Sequence, residues 1–237
     1  MTWSGNFTFL GTRDLNLGAG AVSLATNAGN TRAITVVAGN LTVGGAISDG
    51  TTATNLTKTG AGTLRLAPAT GTNAYSGNTT VSAGTLLLNG VLASSAGSMI
   101  VSNGATLGGT GFIYRVTTVT SNATLAAGDG ALPGTLTTSN LALLRGAIVA
   151  CDVSGGAMDR FVVNGTLTLP TNATVQITRT GSWPVSKVLF SATSLAGATN
   201  SAKLTGWSVS PSNVTVMISG SDVILSPVSA ATAVLFR

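Results

Sequence analysis

The chain has no histidine and no glutamate, one cysteine, and only 7% charged residues among its 237 positions. Each scarcity excludes something. Without histidine there is no Ser-His or Cys-His nucleophilic pair and no ordinary zinc site. A lone Cys151, set in AIVACDV, excludes an intrachain disulfide and reads as a small buried hydrophobe. Soluble globular domains are usually about 25% charged, so this surface must be covered by hydroxyl and amide groups instead of ions. Disorder does not follow, because the hydrophobic content is 44%. Long apolar runs are missing too: the longest, 141–153, is broken by Arg145 and Asp152 and falls short of the ~18 residues of a membrane span. The opening MTWSGNFTFL lacks the basic and apolar regions of a signal peptide, so an exported protein would be represented here in a mature or trimmed form.

The eleven Lys and Arg residues give a formal net charge of +5, opposed by six aspartates. They are scattered, whereas phosphate binding needs several cations on one face, so no nucleic-acid partner is expected.

What the chain has in abundance is glycine (31 residues), with Thr, Ser, Asn and Ala. Helical periodicity is nearly absent. Short alternating segments recur: Trp3-x-Gly5-x-Phe7-x-Phe9, Leu64-x-Leu66, Leu86-x-Leu88, Leu167-x-Leu169, Val175-x-Ile177, Val214-x-Val216-x-Ile218 and Val223-x-Leu225. Period two bounded by Gly and Asn predicts strands. The segments also resemble one another: VSAGTLLL from Val81, VSNGATL from Val101, VTSNATL from Val119, VNGTLTL from Val163. Repetition at roughly 20 residues predicts stacked coils, a β-solenoid. The expected class is therefore all-β, a single-stranded parallel β-helix of roughly ten coils and about 50 Å length at the strand spacing, with a β-sandwich as the alternative. Leu64, Leu66, Leu86, Leu88, Leu107 and Leu125 are expected to point inward as stacked columns, with Gly62 and Gly84 at corners. The expected organisation is a β-solenoid over 1–150, a solenoid continuation or β-rich cap over 151–226, and an apolar tail over 227–237.

The stretch LTKTGAGTLRLAPATGTNAYSGNTTVSAGTLLL, Leu56–Leu88, is more specific. Its Lys-x-Gly-x-Gly-Thr-Leu opening, Asn-x-Tyr-x-Gly centre and Thr-x-Val-x-x-Gly-Thr-Leu close fall on Lys58, Gly60, Gly62, Thr63, Leu64, Asn73, Tyr75, Gly77, Thr80, Val81, Gly84, Thr85 and Leu86. It resembles the passenger-associated strand repeat of bacterial autotransporters. The resemblance implies a parallel right-handed β-helix at the bacterial cell surface or outside the cell. The C-terminal membrane barrel of autotransporters has no counterpart in this sequence.

Chemistry-bearing constellations are few. Glycoside hydrolysis needs two carboxylates within about 5–9.5 Å. Asp49, Asp129 and Asp222 sit in turn-like SDG, GDG and SGSD, and Asp152 and Asp159 are the pair that could meet, across a hairpin or corner at VSGGAM. No enzyme activity, cofactor or metal is expected. Asn-x-Thr occurs at Asn6, Asn40, Asn55, Asn78, Asn122, Asn164, Asn172 and Asn213; an Asn corner followed by a Thr-bearing strand produces the same tripeptide as an N-glycan acceptor. Thr-x-Thr pairs recur at intervals too uneven to match ice, and Thr favours strands in any case. Trp3, Trp183, Trp207, Tyr75 and Tyr114 are candidates for stacking on sugars or for core and end-cap packing.

A coil stack leaves two open ends with unpaired backbone groups. Trp3, Phe7 and Phe9 are expected to form an aromatic cap, and Val234, Leu235 and Phe236 an apolar tail that either adds to a neighbour or folds back. Two functions are consistent with these features. One is an extracellular structural solenoid that forms a homopolymer through its ends or lines the cell surface. The other is an adhesin or glycan-binding passenger contacting a surface polysaccharide, with Tyr75 or Tyr114 in the contact.

Overall fold

The computed structural model describes residues 1–24, 31–130, 132–180, 186–197, 204, 207–210 and 214–227, and the expected contacts Val234, Leu235 and Phe236 lie outside them. The described elements are all strands. They build three sheets: a 12-stranded long face, a 10-stranded second face and a 3-stranded short face. Nearly all pairings are parallel and join strands one coil apart in the chain. The fold is a parallel β-solenoid of about eight turns, fewer than the ten expected, because most coils run past 20 residues.

Alternation sets the packing. On the second face, Leu15, Leu41, Leu64, Leu86, Leu107, Leu125, Val149, Val175 and Val209 follow one another in register. From Leu41 to Val175 each member of this column is no more than 1% exposed. Leu66 and Leu88 form a second column beside it, and both are buried. Burying one such leucine contributes about 1.5–3 kcal/mol, and each coil needs its neighbours above and below to bury it. Hydroxyls take the outward phase, where Thr63, Thr85, Thr106 and Thr124 form a ladder over the same column.

Corners break the ladder and need other partners. Gly84 turns there with φ 65°. Gly62 has an ordinary φ, yet a Cβ on it would lie 2.8 Å from the Gly39 carbonyl oxygen of the coil above. Asparagine side chains carry the ladder across gaps: the Asn55 carboxamide oxygen accepts from the Asn78 N–H at 2.7 Å, and that of Asn78 accepts from the Ser98 N–H at 2.9 Å. Asn6 does the same for the Ala33 N–H at 2.8 Å. These Asn-x-Thr asparagines are thus occupied as corner residues.

Charge goes inside where the corner exposes carbonyls. Lys58 lies at an inward position between Ile34 and Val81 in the register and is fully buried. Its Nζ donates to the carbonyls of Thr59, Gly60 and Ala83 at 2.9, 2.8 and 3.0 Å. Arg115, also fully buried, donates to the carbonyls of Ser94, Gly77 and Tyr75 and lies 4.8 Å from the centre of the Tyr75 ring. Arg32 donates to the Trp3 carbonyl at 2.8 Å.

The cross-section changes along the chain. In the first coils the short face is separate, its strands Thr2–Trp3, Val22–Leu24 and Ile47–Asp49 pairing in order. From Phe112–Val119 onward the short-face and long-face segments fuse into single long strands: Phe112–Val119, Thr135–Leu143, Arg160–Leu169 and Lys187–Gly197. Each successive pair slips register at a bulge, at Ile113/Val116, Thr138/Leu141 and Val163/Thr166. Bulges bend a strand, so the corner is kept without interrupting the strand. The expected division at 150/151 falls inside the strand Ala147–Ser154.

One sequence reading is corrected at the first coil. Trp3-x-Gly5-x-Phe7-x-Phe9 is not one strand: the chain turns after Trp3, which lies on the short face, while Phe7–Phe9 opens the long face. Val214–Ser219 and Asp222–Pro227 do not continue the parallel stack. They form an antiparallel hairpin, joined through Gly220 with φ 61°, and it adds antiparallel to Lys187–Gly197. Gly-Ser between two alternating runs suits a two-residue hairpin loop.

Candidate functional site: the solenoid ends and a lateral cleft

The first coil exposes one edge of each sheet. Thr2–Trp3, Phe7–Phe9 and Leu15–Asn16 are terminal in their sheets, with no further strand on one side among the described residues. Trp3 is buried (6% exposed) and meets Phe7 edge-on at 5.0 Å between ring centres. Its indole donates to the Met1 sulfur at 3.1 Å, and the Met1 amino group donates to the Ala21 carbonyl at 2.7 Å. Phe7 and Phe9 are half-buried at inward positions of that coil. Around them Met1, Leu10 and Leu15 are 55%, 69% and 43% exposed, and an open concavity of about 480 Å³ is lined by Met1, Trp3, Phe7 and Leu17. Among the described residues this end thus combines exposed apolar side chains with strand edges that carry no further strand.

The opposite end is built differently. Among the described residues, the hairpin ends the long face, with Val214–Ser219 as its last strand, and Ser208–Ser210 is the last strand of the second face. Trp207 is buried, its indole donating to the Pro170 carbonyl at 3.2 Å.

Tyr75 is not a sugar-stacking residue. It is fully buried, its hydroxyl 2.7 Å from that of Thr79, and its ring lies beneath the Arg115 guanidinium. Burial pushes the phenol's pKa up, the positive charge of Arg115 opposing the shift. Tyr114 points outward, 43% exposed, and stacks on Phe112 at 4.0 Å.

The two aspartates singled out from sequence meet across a hairpin, Val153 pairing with Met158. Their carboxylates serve different purposes. Asp159 is buried (1% exposed) and accepts from the N–H groups of Gly134 at 2.7 Å and Asp152 at 2.9 Å. Burial outweighs these bonds and pushes its pKa up to about 6. Asp152 is half-buried, and partial desolvation raises its pKa as well. The Cys151 thiol is pushed up strongly by burial and then by Asp159 and Asp152, so it stays protonated and unreactive.

Sequence reasoning missed a cleft on the second face. The segment after Ala126 leaves the sheet and stands over the outward side of the coils. It is pinned at Gly128 by reciprocal hydrogen bonds with Gly109, 2.7 and 3.0 Å, and at Gly134 by the Asp159 carboxylate. Its tip is held by an ion pair between Asp129 and Arg65, and by the Asn89 amide donating to Asp129 at 3.0 Å. Pairing with Arg65 lowers the Asp129 pKa. Between this wall and the threonine ladder lies a cleft of about 380 Å³. Among the described residues no group of acids, cysteine or histidine is disposed to hold a metal ion, and no helix is long and apolar enough to cross a membrane.

In-register coils, apolar columns and glycine corners define a β-solenoid repeat protein. Residues 56–88 match the family model of the passenger-associated-transport-repeat. Such repeats belong to passenger domains of autotransporters, which implies a place at the cell surface or outside the cell. No curated protein gives a significant match to the chain. The matched segment's motif residues are architectural: Lys58 collects corner carbonyls, Gly60 and Gly84 adopt φ of 76° and 65°, and Tyr75 packs under Arg115.

Proposed function

We propose that this protein is an extracellular structural solenoid, a cell-surface or fibre subunit that associates through its ends and performs no catalysis. The observation that carries the reading is the first coil, whose three strands have no further strand on one side among the described residues and which carries exposed Met1, Leu10 and Leu15. Strand edges add strands of other chains, and apolar groups at the same place supply area to bury on association. Low charge adds support, since little repulsion opposes close approach of identical subunits. The partner in this reading is a second copy of the chain. Negative-stain electron microscopy and sedimentation of the purified protein test it. The expected result is rods longer than one monomer that shorten when Leu15→Lys and Leu10→Lys are combined. Monodisperse monomers at high concentration would overturn it.

A further inference from the structure

The cleft on the second face has features that neither coil stacking nor end association uses. Its floor presents the hydroxyls of Thr63, Thr85 and Thr106 from three successive coils, repeated at the strand spacing of about 4.8 Å. Leu87 projects outward among them, a half-buried apolar side chain amid polar neighbours. The wall contributes Asp129, and the half-buried Asp152 lies at the same cleft. The wall is held in place without a ligand, by Gly109–Gly128, by Gly134 on Asp159, and by Asp129 on Arg65 and Asn89. A binding site fixed beforehand loses little entropy on binding.

The cleft's chemistry narrows what it would take. Its one cation, Arg65, is already paired with Asp129, and Asp152 adds a further acid. Phosphate, sulfate and uronate would meet uncompensated negative charge. An apolar ligand would bury the threonine hydroxyls unpaired, at about 1–3 kcal/mol each. A ligand with many hydroxyls, no charge and an apolar C–H face satisfies every group at once. Its hydroxyls would bond to the threonines and Asp152, and its C–H face would lie on Leu87. A volume of about 380 Å³ is within the range of small-molecule sites, and the hydroxyl ladder continues beyond the wall to Thr124. We infer that this cleft is a binding site for a short stretch of a neutral polysaccharide chain. The inference goes beyond end association and is independent of it, because the cleft is lateral. It also moves the glycan contact away from Tyr114, which lies on the long face.

The test is affinity electrophoresis of the folded protein in native gels containing soluble neutral glucan, mannan or galactan, with polygalacturonate as the anionic control. Retardation by at least one neutral glycan is expected, and none by polygalacturonate. Thr85→Val and Leu87→Asp should each weaken retardation about tenfold, the size of one lost hot-spot contact, and Tyr114→Ala should leave it unchanged. Thermal unfolding checks the fold of each variant. If Leu87→Asp does not fold, Thr85→Val and Asp129→Asn, which releases the tip of the wall from Arg65, decide the matter. The inference is overturned if no neutral glycan retards the protein, if polygalacturonate alone does, if the cleft variants bind as wild type, or if Tyr114→Ala abolishes binding. Filament formation by the cleft variants, scored separately, reports on end association alone.

Discussion

Among the described residues, the buried charges of the early coils are cations and that of the later coils is a carboxylate. Up to about Arg115, buried cations collect carbonyls at the corners and strand ends: Arg32, Lys58 and Arg115 together reach Trp3, Thr59, Gly60, Ala83, Tyr75, Gly77 and Ser94. Past that point the faces fuse into long bulged strands, and two N–H groups turn inward to a side chain. There a buried carboxylate, Asp159, accepts from Gly134 and Asp152. The difference teaches that the sparse charges of this chain are not a thin surface coat. Several are interior fittings, each placed where the backbone breaks its own hydrogen bonding.

Removing a clamp should break the comparison most sharply. Arg115→Met leaves three carbonyls, two of them buried, without their donor and is expected to cost about 3–5 kcal/mol, read as a lowered urea midpoint. A loss under about 1 kcal/mol would mean that the guanidinium merely fills space. Next comes the column. Leu86→Ala should cost about 2–5 kcal/mol. Because each coil touches only its neighbours, amide exchange should rise in Thr63–Leu66 and Thr106–Gly108 and stay unchanged in Lys187–Gly197. Exchange rising evenly along the rod would show that the two regions fold as one unit.

Titration separates the two kinds of clamp. Desolvation lowers the Lys58 pKa to about 8 from the usual 10.5, so the unfolded chain binds the extra proton between these values. Stability should therefore rise from pH 8 to 10.5, and Lys58→Met should flatten that rise. Asp159 behaves inversely. With its pKa raised to about 6 from 3.8, its contribution is full below 3.8 and is lost as pH rises through 6. Thermal midpoints should fall across that window in wild type, and Asp159→Asn should remove the fall. The smallest effect is expected at the surface. Asp129→Asn breaks an ion pair whose partners are 47% and 29% exposed, so its cost should be about 0.2–1 kcal/mol, visible chiefly as faster exchange at Gly128.

The coil stack was legible because alternation and corner residues repeat, and Leu64, Leu86, Leu107 and Leu125 occupy the same phase of similar strings. The fused strands were not, since a bulge of one residue leaves the alternation of FIYRVTTV intact while the sheet bends beneath it. The clamps carried a signal that went unread: Arg32 in TRAITV and Arg115 in FIYRVTTV stand at the inward phase of their strands, where a charge must have buried partners. Between a sugar contact and core packing, nothing local decides for Tyr75; its cover is Arg115, 40 residues away. The cleft was equally hidden, since its wall and floor meet through Arg65 and Asp129, 64 residues apart.

The unbroken column from Leu15 to Val209 also says how the molecule would answer to force. Ladder hydrogen bonds run across strands, hence along the stacking axis, so tension applied between the ends loads the coils in series and not side by side. Under such a pull the rod would not rupture as a whole. It would yield coil by coil, each step paying out the chain between one leucine of the column and the next, and it would recover by rewinding onto the coil still standing.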